Sequence, residues 1–460
     1  MTTLREKFYR KLKTTRILAI SFAFVIITGG ILLNLPIANN DPNIPFIDHL
    51  FMSTSSVCVT GLVTVVVVDK YTIFGQWVLI FLMQIGGLGL MTFLVTFITV
   101  AKKQLFMAEK KLIQDSLNKA DLDNIPKYIK SIFKYTFFFE GLGVVFFSLR
   151  LVPMYGVSSG LFKSLFLSVS AFCNAGLDNF SNTSLIPYSS DPILNLGVIA
   201  LIITGGLGFA VWFDLSNGLK NKFKKDISFK SMIHHLTLHT KIVLTMTSIL
   251  LGLGALLFLV IEYNNVNTIA NYSFTEKLLI SFFQSTTLRT AGFSSVNIGD
   301  CKIATLLMMC VWMLIGGSPG GTAGGIKTTT FVAIVIAIVS VFKNSSDHYR
   351  IFKREIPKET FYKAIIVFFM YVIALFIAVF TLSISDESIG FLDILFEAFS
   401  AINTVGLSTG ITTSFSNVGK IVIILLMYVG RVGPITIVLS LFKTKKKEVI
   451  SYAKEDILIG

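Results

Sequence analysis

Eight runs of about 20 apolar residues decide what this chain can fold into, because that length of helix crosses a hydrocarbon layer of about 30 Å. They lie at about 17–36, 76–100, 133–152, 194–214, 242–262, 303–342, 364–384 and 420–442. A backbone in lipid must satisfy its own hydrogen bonds, so the expectation is an all-α integral membrane protein with eight transmembrane helices. Only 14% of the 460 residues are charged and 53% are hydrophobic, whereas a soluble domain carries about 25% charge. The net charge of +14 would suggest nucleic acid in a soluble protein. Here most of the 40 Lys and Arg fall before the first run, in 102–134, 220–241 and 343–363, and after 442. By the positive-inside rule those segments and both termini are cytoplasmic in a multi-pass cell-membrane protein, and the partner that the charge implies is the bilayer, with no nucleic acid. The basic start, Arg5 to Arg16, imitates a secretory signal, but no A-x-A-like site follows its apolar run, so it reads as a retained first helix.

The four external connections each hold a second, shorter apolar stretch: Phe46 to Val57, Leu161 to Phe172, Phe274 to Thr286 and Phe391 to Ile402. A helix of 12 residues covers about 18 Å, enough to dip into a membrane and return. Each stretch ends in a similar string: Cys58-Val59-Thr60-Gly61-Leu62, Cys173-Asn174-Ala175-Gly176-Leu177, Arg289-Thr290-Ala291-Gly292-Phe293 and Asn403-Thr404-Val405-Gly406-Leu407. The glycines recur every 114 to 116 residues, and each string precedes a glycine-bearing stretch at Gly86-Gly87-Leu88-Gly89, Gly205-Gly206-Leu207-Gly208, Gly316-Gly317 or Gly430-Arg431-Val432-Gly433. The chain therefore reads as four tandem helix/pore-loop/helix repeats around a pseudo-fourfold pore. The boundaries are a basic N-terminus 1–16, repeat 1 at 17–101, a loop 102–129, repeat 2 at 130–215, a loop 216–239, repeat 3 at 240–342, a loop 343–360, repeat 4 at 361–442 and a tail 443–460. Non-helical backbone at membrane depth is tolerated only inside protein or facing water. Gly permits turns that aim carbonyls inward, and a ring of them replaces a cation's hydration shell. The C-terminal end of each half-helix adds partial negative charge.

These loops resemble those of the Trk/Ktr/HKT superfamily of potassium transporters, most closely the membrane subunit of bacterial Ktr systems, since no extra helix pair precedes the first repeat. The resemblance covers roughly residues 15 to 445. It implies potassium uptake through a filter made by Val59, Thr60, Gly61, Asn174, Ala175, Gly176, Thr290, Ala291, Gly292, Thr404, Val405 and Gly406, with Gly in all four loops favouring potassium over sodium. It also implies a homodimer on a cytosolic ring of nucleotide-binding regulatory subunits. This chain has no dinucleotide fingerprint of its own. No cofactor is expected: potassium is the substrate and sodium a candidate activator.

The sixth run is interrupted by Gly316, Gly317, Pro319, Gly320, Gly321, Gly324 and Gly325, ahead of Lys327. Gly costs about 1 and Pro about 3 kcal/mol in a helix interior, so a non-helical segment is expected there, either close packing through small residues or, as the resemblance implies, an intramembrane gating loop over 316–330. Arg431 lies inside the last run; it reads either as an anchor to backbone carbonyls or as a cation barrier in the pore. Arg289 is expected to turn away from the ion path toward an acidic neighbour, with Glu140, Asp214 and Glu397 as candidates. Cys58, Cys173, Cys301 and Cys310 have no CxxC spacing and read as packing residues. No paired carboxylates, His cluster or activated Ser suggest an enzyme. A sodium- or proton-coupled transporter or antiporter is the alternative, disfavoured because only one broken run and few intramembrane acids are visible. No run carries Arg at every third position, which argues against voltage gating.

Overall fold

The computed structural model describes residues 14–89, 125–225, 228–343, 349–352 and 354–441. The basic N-terminus up to residue 13, the end of the second apolar run, most of the loop 102–129 and the tail after 441 lie outside the described residues.

Four long helices organise the chain: α1 (Thr14–Leu33), then α4 (Ile125–Tyr155), α8 (Leu238–Glu262) and α12 (Lys358–Ser385), where the numbering counts the elements between them. They contain long stretches long and apolar enough to cross a membrane. Phe24, Phe137, Phe376 and Phe380 stand exposed on them, as expected of helices whose outer faces meet lipid. Each is followed by a half-helix that packs back on it: α2 (Phe46–Cys58), α5 (Val157–Cys173), α9 (Phe274–Thr287) and α13 (Phe391–Ile402). Local chemistry starts these elements; α9 opens on a capping box in which Ser273 and Glu276 exchange side-chain and backbone bonds, satisfying donors that a helix start leaves free.

A third helix closes each unit: α3 (Ile73–Leu88), α6 (Pro192–Gly206), α10 (Ile303–Leu314) and α14 (Asn417–Val432). Here the structure departs from the sequence reading. The expected continuous runs at 194–214 and 420–442 are each bent by 94°, where α6 gives way to α7 (Phe209–Lys225) and α14 to α15 (Pro434–Leu441). Gly208 and Gly433 take φ of 91° and 90°, outside the helical region, and Pro434 has no N–H to continue the ladder. The third unit breaks completely, α10 ending at Leu314 and α11 (Thr328–Phe342) beginning 14 residues later. Thus three of these helices are interrupted, where one was expected. Among the described residues six crossings are long enough if each bent pair counts as one, and the described parts of α3 and α10 are shorter apolar helices.

The last unit returns to the first: α14 packs on α2, and α15 on α1. Across that closure Lys420 donates to Asp48 at 2.7 Å, with both side chains largely buried. The strands among the described residues are a two-residue antiparallel pair, Arg350–Ile351 with Arg354–Glu355.

Candidate functional site

All four half-helices end in the same backbone turn. Two residues before each glycine the chain enters the left-handed region, at Val59 (φ 57°), Asn174 (61°), Thr290 (63°) and Thr404 (50°), and the glycines follow at Gly61 (100°), Gly176 (67°), Gly292 (83°) and Gly406 (94°). A β-branched residue at positive φ is a genuine outlier, and three of these four are β-branched. Such strain persists where the surroundings over-determine it. The intervening residues return their N–H to the half-helix, Thr60 to the Ser55 carbonyl at 2.8 Å, Ala175 to Ser170 at 2.7 Å, Ala291 to Thr287 at 3.0 Å and Val405 to Ser400 at 2.8 Å.

The four turns meet. A Cβ placed on Gly61 would lie 2.8 Å from the Ala175 carbonyl oxygen, one on Gly176 2.7 Å from Ala291 oxygen, and one on Gly292 2.7 Å from Val405 oxygen. One on Gly406 would fall inside contact distance of Thr60 oxygen. Each loop thus faces the carbonyl of the next, and the order closes from the fourth loop to the first. The structure brings together all twelve loop residues expected from the sequence, and all twelve are buried. Carbonyl oxygens gathered in this closed order at the C-terminal ends of four half-helices are a setting that suits a cation better than an anion.

The interrupted segment of the third unit lies against the half-helix ends of this ring. It is hydrogen-bonded along its length: Gly316 N–H to Ile326 at 2.9 Å, Ser318 N–H to the Gly206 carbonyl at 3.0 Å, Thr322 N–H to Gly205 at 3.2 Å and Thr328 N–H to Gly317 at 3.1 Å. The break in α6 frees the Gly205 and Gly206 carbonyls, and the segment's N–H groups satisfy them, as backbone at membrane depth requires. Thr322 Oγ1 donates to the Phe172 carbonyl at 3.1 Å, and Gly324 N–H donates to Thr290 Oγ1 at 3.1 Å. Gly320 and Gly325 sit at positive φ, Pro319 oxygen comes up to Gly208, and a Cβ on Gly316, Gly317, Gly321 or Gly324 would meet atoms at or within about contact distance. Lys327 Nζ donates back to Ala323 oxygen at 2.7 Å.

Arg431 joins this segment to the first unit. It occupies the last turn of α14, beside the bend, and so is not in the middle of a continuous helix. One guanidinium nitrogen donates to the Thr322 carbonyl at 2.5 Å; the other donates to the Gly86 carbonyl and reaches Gly87 oxygen at 3.5 Å. Gly86 and Gly87 are among the last carbonyls of α3, where a cation complements the helix dipole. The contacts are those of an anchor to backbone carbonyls, with one of the anchored carbonyls in the interrupted segment.

The sequence pattern of the TrkH family, described as cation transport proteins, matches residues 3–451. The chain belongs to the TrkH family. It is 38% identical, over the full length of both chains, to the Ktr system potassium uptake protein B of Bacillus subtilis, and 36% identical, again over both full lengths, to the potassium/sodium uptake protein NtpJ of Enterococcus hirae. Its fold is similar to the crystal structure of the potassium transporter TrkH from Vibrio parahaemolyticus, with a TM-score of 0.73, 17% identity, and coverage of 93% of this chain and 84% of that one. These relatives are ion transporters, and the chain is not an enzyme.

Within this TrkH-family chain one expectation fails at Arg289. Its side chain is buried, but among the described residues Nε and Nη2 have no hydrogen-bond partner, and the three candidate acids are engaged elsewhere. Glu140 accepts from Gln84 Nε2 at 2.7 and 2.6 Å, Glu397 accepts from Ser408 and from Thr412 at 2.9 Å, and Asp214 accepts from the Thr237 N–H and hydroxyl at 2.9 Å. Asp214 thereby holds the residue that caps the start of α8. Cys58 and Cys173 are buried and unpaired; Cys173 packs beside Gln84, its Sγ 3.6 Å from Oε1.

A further set of residues escaped the sequence reading. A Cβ on Gly86, Gly205 or Gly430 would fall inside contact distance of the carbonyl oxygen of Val57, Phe172 or Ile402. In three units the closing helix therefore crosses its own half-helix backbone to backbone, at the carbonyl four residues before the loop glycine. In the third unit Gly316 instead meets the Gly324 carbonyl of the interrupted segment. The glycine stretches signalled these crossings, but without a partner.

Proposed function

We propose that this TrkH-family protein takes up potassium across the cell membrane through a pore whose filter is the ring of loop carbonyls, and that the segment 316–330 with Arg431 gates it. The observation that carries the reading is the closed order of the four glycine turns, each facing the next loop's carbonyl. Four carbonyl-bearing turns around one axis are what a dehydrated monovalent cation requires. In this reading the four units make eight crossings in four repeats with both termini cytoplasmic. The chain works as a homodimer on a cytosolic nucleotide-binding regulatory ring, and the exposed aromatic faces of α4 and α12 meet lipid or the second copy. The membrane potential drives uptake, with about 2.3 kcal/mol per charge for each 100 mV.

The test is rubidium uptake into proteoliposomes with and without competing sodium, for the parent and for Gly61→Ser and Gly406→Ser. Both substitutions place a side chain among the ring carbonyls and are expected to weaken discrimination against sodium. An unchanged rubidium-to-sodium ratio in both variants overturns the filter assignment. A second reading, passage or activation by sodium at the same ring, is favoured by the Enterococcus relative, which is named for both ions. Sodium uptake or sodium-stimulated rubidium uptake in the same vesicles distinguishes it. The coupled-antiport alternative gains from the bends in α6 and α14, which remove the single-break argument against it. Proton flux coupled to rubidium entry decides that case.

A further inference from the structure

Behind the ring, three buried serines each hold two peptides of their own loop. Ser55 accepts twice: its carbonyl takes the Thr60 N–H at 2.8 Å and its hydroxyl oxygen takes the Gly61 N–H at 3.0 Å. Ser400 does the same in the fourth loop, with Val405 at 2.8 Å and Gly406 at 3.0 Å. Ser170 holds Ala175 at 2.7 Å through its carbonyl and, one residue later than in the other loops, Leu177 at 2.9 Å through its hydroxyl. All three stand six residues before their glycine and are fully buried.

A trans peptide is planar, with its N–H and C=O pointing in opposite directions. An N–H drawn outward to a serine therefore turns the carbonyl of the same peptide toward the axis: Thr60 in the first loop, Val405 in the fourth and Gly176 in the second. The Thr60 and Val405 oxygens are the ones that a Cβ on Gly406 and on Gly292 would meet. The third loop is built otherwise. Thr286, at the equivalent position, returns its hydroxyl to Phe282 oxygen at 2.8 Å, and Thr287 donates to Phe293 oxygen at 2.6 Å.

We propose that Ser55, Ser170 and Ser400 are positioning residues for ion selectivity, their hydroxyls holding the carbonyls of Thr60, Gly176 and Val405 turned to the ion. The proposal rests on the reading of the ring as the filter. Removing a hydroxyl leaves a buried N–H unpaired, so the flipped peptide, which points an N–H at the cation, competes with the working one. The loops are not all treated alike: the first, second and fourth depend on a serine and the third does not.

The experiment measures rubidium-to-sodium uptake ratios in proteoliposomes for Ser55→Ala, Ser400→Ala, Ser55→Thr, Thr286→Ala and Ser56→Ala. Ser56 is equally buried, but its hydroxyl returns to Met52 oxygen within its own helix. Each of the first two variants is expected to lower the ratio by about tenfold, the size of one lost hydrogen bond to a buried group. Thr at 55, which keeps the hydroxyl, is expected to restore the ratio, and Thr286→Ala and Ser56→Ala to match the parent. Parental ratios in Ser55→Ala and Ser400→Ala, beside a lowered ratio in Gly61→Ser, overturn the serine proposal and leave the filter standing. A parental ratio in Gly61→Ser as well removes the filter and the proposal with it. Should an alanine variant not assemble, the potassium concentration that half-stabilises Ser170→Ala in a thermal-shift titration reads the same effect: a rise of about tenfold is expected, and no change overturns the proposal.

Discussion

Arg431→Lys is the substitution that separates a latch from an electrostatic barrier. The side chain bonds the Thr322 carbonyl of the interrupted segment with one nitrogen and the Gly86 carbonyl of α3 with the other. Hydrogen bonds to a charged group contribute about 1.5–3 kcal/mol each, so the fork ties the segment to the first unit with about 3–6 kcal/mol. If the guanidinium instead acts by its field, a cation about 6 Å away at an effective dielectric of about 20 is opposed by about 3 kcal/mol. Gln at 431 removes either effect and is expected to raise flux by up to about two decades, at 1.4 kcal/mol per decade. Lys keeps the charge but lacks the planar fork that reaches two carbonyls at once. A latch therefore loosens in Lys, with flux rising about tenfold, whereas a barrier leaves Lys at the parental rate. The assay is the initial rate of rubidium uptake at a fixed potential, with the sodium ratio as a control that neither variant is expected to shift. Parental flux in Lys alongside raised flux in Gln refutes the latch. No gain in either, together with a lowered thermal midpoint, reduces Arg431 to a structural anchor.

Deleting residues 320–323 is expected to raise rubidium flux at unchanged ion preference, because it removes the Thr322 bonds to Phe172 and Arg431; a parental rate in a folded deletion assigns the segment to packing. Gly430→Ala drives a methyl into the Ile402 carbonyl, and Gly86→Ala into Val57 oxygen; overpacking of this kind costs about 1–3 kcal/mol or more, read as a lower thermal midpoint in detergent. Asp48→Asn and Lys420→Met each strand one member of a buried pair, at about 3–5 kcal/mol, whereas the double variant Asp48→Leu/Lys420→Met is expected to recover most of that stability. Equal loss in single and double variants would show that the pair does not hold the closure.

The ring was legible because its signal is periodic: four glycines at even intervals, each after a short apolar stretch, survive any uncertainty in where a helix starts. The bends in α6 and α14 were not read, although Gly208 and the Gly433-Pro434 pair stand in the sequence, because hydropathy integrates over 20 residues and is blind to one backbone angle. The partners of Arg431 are carbonyls, which every residue carries, so no side-chain pattern points to them. Arg289 shows the limit most clearly. An acid within reach depends on which helices become neighbours, and Glu140, the acid nearest in character, is placed by the fold against Gln84 of α3.

The closed order of the glycine turns also gives the ring a sense of direction. Because each missing side chain points at the following loop's carbonyl and not at its own, a defect is felt by the next loop downstream: first to second, second to third, third to fourth and fourth back to first. Sites in direct contact couple, while sites without shared partners add. In double-mutant cycles, Gly406 should therefore couple to Thr60, and Gly61 to Ala175, more strongly than either couples across the pore. The shortest of these contacts thus run one way around the ring, with Gly292 alone also reaching the Thr60 oxygen of the opposite loop, at 3.1 Å.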